Sequence, residues 1–152
     1  MGCQKSKTIR LPILVCLFLL IAVNPVSAAQ TITAHGDVSM SVIASNFDAG
    51  FRKSNNNPVN WSSDIDWIIT IASLDINLGQ SDDTSYTKPL SDLEWKTSPQ
   101  PTWITMLTTD ATVDTGTSGS GSIDIDYKFL LAWDTDRPGT YGATVRYTIA
   151  SN

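Results

Sequence analysis

Apolar and polar residues alternate with a period of two along most of this chain, and no stretch after residue 28 holds a helical period. Successive side chains of a strand point to opposite faces, so the pattern predicts half-buried strands. Gln30 to Ala34 reads as a short first strand. From Asp37 onward Val38, Met40 and Val42 share one face, with Asp37, Ser39 and Ser41 on the other. Phe51 to Asn60, which contains Asn55-Asn56-Asn57-Pro58, reads as a polar loop. Asp66 to Leu78 is the longest apolar run beyond the first 28 residues. Its even positions Ile68, Ala72, Leu74, Ile76 and Leu78 stay mainly apolar, and its first half is apolar on both faces, as expected of a central strand or of one covered by another segment.

Gly79 to Lys88 reads as a polar loop and Leu90 to Lys96 as a short strand carrying Leu93 and Trp95. Pro99-Gln100-Pro101 makes a stiff corner before Trp103 to Leu107 extends again. Asp114 to Ser122, rich in Gly, Ser and Thr, is expected to be a flexible hairpin tip. The plainest alternation comes last: Ile123, Ile125, Tyr127, Phe129, Leu131 and Trp133, then, after the turn residues Asp134 to Gly139, Tyr141, Ala143, Val145, Tyr147 and Ile149. These two rows predict a C-terminal antiparallel hairpin. The whole is expected to be all-β, a single immunoglobulin-like antiparallel sandwich of about seven or eight strands.

The first 28 residues stand apart. A basic head (Lys5, Lys7, Arg10) runs into the apolar stretch Leu11 to Val23, and Val26 and Ala28 supply the small residues at the −3 and −1 positions of a signal-peptidase site. The apolar run falls short of the roughly 20 residues a spanning helix requires, so cleavage after residue 28 is expected, leaving residues 29–152 as a secreted or cell-surface domain with no membrane span. Met1-Gly2-Cys3-Gln4-Lys5-Ser6 matches the myristoylation pattern, but the apolar run behind it directs the chain to export. Both cysteines, Cys3 and Cys16, lie in the leader, so no disulfide can staple the remainder. The leader also carries three of the ten basic residues and none of the fifteen acidic ones, so its removal deepens the acidic balance and disfavours nucleic acid as a partner.

Several segments carry a resemblance. Asn60-Trp61, Asp66-Trp67-Ile68-Ile69-Thr70-Ile71-Ala72, Pro89-Leu90-Ser91-Asp92-Leu93-Glu94-Trp95, Asp126-Tyr127-Lys128-Phe129-Leu130-Leu131-Ala132-Trp133 and the run from Arg137-Pro138-Gly139-Thr140-Tyr141 to Thr148 resemble motifs of prokaryotic surface sandwiches, of the WxL-like cell-surface and fibre-subunit type. The resemblance implies the sandwich fold and a surface role. The Trp-any-Leu tripeptide is missing, so peptidoglycan binding does not carry over.

Catalytic chemistry finds little to work with. His35 is the only histidine, sits near the start of residues 29–152, and reads as a solvated turn residue. The pairs Asp64/Asp66, Asp82/Asp83, Asp124/Asp126 and Asp134/Asp136 read as acidic edges and turn caps, since spacing alone does not set two carboxylates across a cleft. Asp134 and Asp136 are the weak candidates for calcium, in a loop that could fold oxygens around a hard cation. No enzymatic activity, cofactor or zinc site is expected. Of the five tryptophans, Trp67 and Trp133 read as core, while Trp61, Trp95 and Trp103, beside loops or prolines, are candidates for stacking on a sugar ring, against the alternative of packing. Asn60-Trp61-Ser62 also meets the N-glycosylation pattern. Two functions follow as expectations. One is a structural or adhesion subunit that polymerises with itself or joins other surface proteins by strand addition through Ala29 to Ala34. The other is a module binding cell-wall glycan through its exposed tryptophans.

Overall fold

The structure, a computed structural model, describes residues 28–152. All but the last residue of the expected leader lies outside that range. Eleven strands follow in chain order: β1 (Gln30–Thr33), β2 (Asp37–Val42), β3 (Phe51–Ser63), β4 (Trp67–Ser73), β5 (Asn77–Gln80), β6 (Thr87–Pro89), β7 (Leu93–Thr97), β8 (Ile104–Thr105), β9 (Ala111–Gly116), β10 (Gly119–Leu130) and β11 (Gly139–Ser151). They form a five-stranded sheet ordered β1-β3-β10-β7-β8, a four-stranded sheet ordered β2-β11-β4-β9, and the small β5-β6 pair. Every pairing is antiparallel. The protein is thus an all-β sandwich, with more strands than the alternation predicts.

The period-two rows become the inner faces. Val59, Leu93, Trp95, Ile125, Tyr127 and Phe129 of the first sheet meet Val38, Met40, Val42, Ile71, Tyr141, Ala143 and Val145 of the second in one buried cluster. At about 1.5–3 kcal/mol per fully buried large side chain, this layer is the main stabilising term. The central position expected of the first half of Asp66 to Leu78 is observed, since β4 lies between β11 and β9. Its buried face is the odd one, Trp67, Ile69 and Ile71, whereas Leu74 and Ile76 are exposed beyond the strand's end.

Four expectations need correction. Phe51 to Asn60 is strand, because the asparagine run is absorbed as a bulge: Asn55 and Asn56 together face the single residue Asp126, between the pairs Ile125↔Asn57 and Tyr127↔Ser54. Asn56 takes φ 59° there, a left-handed conformation that asparagine tolerates, and its N–H is accepted by Asp126 Oδ1 at 3.1 Å. The C-terminal hairpin does not form, since β10 and β11 belong to opposite sheets and residues 131–138 cross between them. The expected loop Gly79 to Lys88 supplies most of the β5-β6 pair, whose turn is held by Asp83. Hydrogen bonds from the Ser81 and Ser85 hydroxyls and the Ser85 N–H hold that carboxyl down at about 2.

The fourth correction concerns the Gly/Ser-rich segment. Residues 114–122 are the end of β9, the start of β10 and a two-residue link between the sheets. The glycines make room for indoles: a Cβ at Gly116 would lie 2.6 Å from the Trp67 ring, and one at Gly121 would lie 3.1 Å from the Trp61 ring. Trp67 Nε1 donates to the Thr117 carbonyl at 2.7 Å, which fixes the link against its indole.

Candidate functional site

The tryptophans sort by strand face. Trp95 is 1% exposed and fills the core from β7, so it cannot stack on an external ring. Its neighbour Leu93 is also buried, and the period of two carries both inward. Trp133 lies past the end of β10 and is 59% exposed, against its expected place in the core; its ring rests on Phe47, centroids 5.0 Å apart. Trp67 is buried as expected. Trp61 is half-buried on β3 and tilts against Trp67 with centroids 4.1 Å apart.

Trp103 is also half-buried, and its surroundings are the most distinctive on the surface. It precedes β8, at the edge of the first sheet, and the Nζ atoms of Lys53, Lys96 and Lys128 lie 5.5, 5.4 and 4.6 Å from its ring centroid. The lysines come from three adjacent strands, with Lys128 of β10 directly opposite Lys53 of β3. Like charges at that spacing repel. The indole face offers each ammonium a compensating attraction, and Lys128 and Lys96 also pair with Glu94 and Asp126. One face of the first sheet thus gathers an indole and three lysines, two of them held by carboxylates.

The second concentration of charge is internal. Lys88, on β6, has no solvent exposure, and its Nζ donates to Asp136 Oδ2 at 2.7 Å and to Asp92 Oδ2 at 2.8 Å. Asp136 is buried in the crossover between β10 and β11, where Oδ2 also accepts the Ala132 N–H at 2.9 Å. Burial works to raise the Asp136 carboxyl, but the hydrogen bonds and charge of Lys88, with help from Tyr86 and the Ala132 N–H, outweigh it and hold the group below the ordinary carboxylate value. Burial also pushes Tyr86 up, and the carboxylate adds to the effect. Asp136 Oδ1 is buried and closes no hydrogen bond of good geometry among the described residues. The Tyr141 ring, centroid 5.7 Å from Nζ, closes one side of the site, and its hydroxyl donates to the Arg137 carbonyl at 2.6 Å.

This arrangement corrects the calcium expectation for Asp134 and Asp136. Asp136 turns inward to an ammonium while Asp134 stays exposed, and the described residues bring no three His, Cys, Asp or Glu side chains together as metal ligands. His35 is exposed. Sequence reasoning missed Lys88 because its partners lie 4 and 48 residues away and it stands in a polar stretch. It missed the lysine triad because the three strands are neighbours only in space. Among the described residues no helix is long and apolar enough to cross a membrane.

Compared with protein-family models, curated proteins and solved structures, the chain finds no match in any of the three.

Proposed function

We propose that the chain is a secreted, non-catalytic structural or adhesion domain of a cell surface, and that it joins its neighbours through β1. The observation that carries this reading is the place of β1, four residues that start at the second position after the expected cleavage site and form the edge of the first sheet. Its pairing within the sheet is to β3 alone, from Gln30↔Ser63 to Thr33↔Asn60, so its outer edge offers main-chain groups to another strand. Ala29 is anchored by mutual hydrogen bonds with Asp64, which presents β1 as an ordered edge. The motif resemblance to prokaryotic surface sandwiches points the same way.

The test is to produce the full chain with its leader, collect it outside the cell, and size it by light scattering with negative-stain imaging. Ordered multimers that disappear when residues 29–34 are deleted, with the β circular-dichroism signal retained, are the expected result. A monomer at every concentration, or multimers that survive the deletion, would overturn the reading.

A second reading is favoured by the Trp103 patch. A half-buried indole beside three ammonium groups suits a cell-wall or extracellular glycan bearing acidic groups, with sugar stacking on the aromatic and an acidic group meeting Lys53, the one of the three that forms no salt bridge among the described residues. Trp61, half-buried against Trp67, stays a separate candidate, and Trp95, buried in the core, does not. Trp103→Ala and the pair Lys53→Gln/Lys128→Gln should each lower retention on an acidic glycan column at least tenfold. Retention equal to that of the unaltered chain would exclude this site.

A further inference from the structure

The buried contact between Lys88 and Asp136 has the geometry of a reaction as well as that of an ion pair. The amine nitrogen is fully buried, lies 2.7 Å from a carboxylate oxygen, and has a second carboxylate, Asp92, at 2.8 Å. Holding two reacting groups this way replaces a bimolecular encounter and can be worth an effective molarity of about 10⁵ M or more. In water an amine and a carboxylic acid stay apart because each ion is well hydrated. Burial removes that hydration from both, and a fully buried ion pair is a weak source of stability compared with a neutral group in the same place.

We propose that Lys88 and Asp136 condense to an intramolecular isopeptide bond, with Asp92 as the catalytic proton carrier. Asp92 Oδ2 takes a proton from the Lys88 ammonium and passes it to Oδ1 of Asp136, so that the carboxyl is neutral when the freed Nζ attacks Cγ. The Nζ–Cγ bond forms, and the developing oxyanion on Oδ2 is held by the Ala132 N–H already bonded to it. Oδ1, buried without a hydrogen bond of good geometry, is the oxygen that departs. It already carries the first proton and takes a second from Nζ, the Cγ–Oδ1 bond breaks, and one water leaves. One ammonium and one carboxylate thus become one amide and one water, with no change in net charge and no oxidant or reductant. Asp92 is partly exposed, its side chain retaining 27% of its accessible surface, so it also marks the way out for the water. Tyr141 closes the other side and keeps bulk water from reversing the step.

The product joins β6 to the crossover before β11 across 48 residues of sequence, in a domain whose only cysteines lie in the expected leader. The test is intact mass and tandem mass spectrometry of the full chain as produced, with its N-terminus determined in the same experiment. The expected result is a mass lower by one water and a branched peptide that links Lys88 to Asp136. Lys88→Arg, which keeps the charge but lacks the nucleophile, should give the full mass and linear peptides only. A full mass with linear peptides from the unaltered chain would overturn the proposal even if Lys88→Arg does not fold. So would a loss of water that maps to another aspartate as a cyclic imide. Asp92→Asn should slow cross-linking at least tenfold in a pulse-labelled sample, and a rate equal to that of the unaltered chain would remove Asp92 from the mechanism.

Discussion

Tyr127 of β10 and Tyr147 of β11 meet hydroxyl to hydroxyl between the two sheets. Burial raises both phenols, Tyr147 to about 12 and Tyr127 further. A group raised on folding stabilises the fold below its unfolded value, here near 10, and loses that contribution as pH climbs through the folded value. Stability measured by denaturant unfolding should therefore hold up to pH 10 and fall by about 1–3 kcal/mol toward pH 12. Tyr147→Phe should shrink that alkaline limb without removing it, because burial keeps Tyr127 raised. Gly142 carries a second residue-scale prediction: a Cβ there would lie 2.6 Å from the Val38 carbonyl oxygen, a backbone atom that cannot turn aside. Gly142→Ala should cost about 1–3 kcal/mol in the same measurement, by separating β11 from β2.

Between strands, the bulge of Asn55 and Asn56 against Asp126 lets β3 and β10 pair along nearly their whole lengths. Asn56→Val forces a branched side chain into a left-handed conformation and should cost about 1–2 kcal/mol, whereas Asn56→Gly should cost little, as read by thermal unfolding. This element also shows where sequence reasoning stops. Alternation in β2, β10 and β11 told which face is buried, because a period of two is local. The partner of each strand was not legible. The turn chemistry at Asp134 to Gly139 fits a hairpin and a crossover equally well, and only packing the aromatic rows against each other across the core selects the crossover. The asparagine run misled for a related reason, since residues that favour turns also favour bulges. Trp95 was legible in retrospect, two residues from Leu93 in a strand with one inner face. The Lys88 site was not, because charge pairing over such separations leaves no local trace.

Across the whole molecule, strands adjacent in space are mostly remote in sequence: β10 lies between β3 and β7, and β11 between β2 and β4. Loop-closure entropy must be met before those contacts form, so refolding should take milliseconds to seconds and not microseconds. Stopped-flow tryptophan fluorescence would check this, and a microsecond phase carrying the full amplitude would contradict it. Trp61 and Trp67 give that experiment a second channel. They stand on opposite sheets with ring centroids 4.1 Å apart, one on β3 and the other on β4. Transition dipoles that close couple as an exciton, so the folded domain should show a split tryptophan band in circular dichroism that either Trp61→Phe or Trp67→Phe abolishes. The indole pair is thus an optical gauge of the docking of one sheet on the other, readable without any added label.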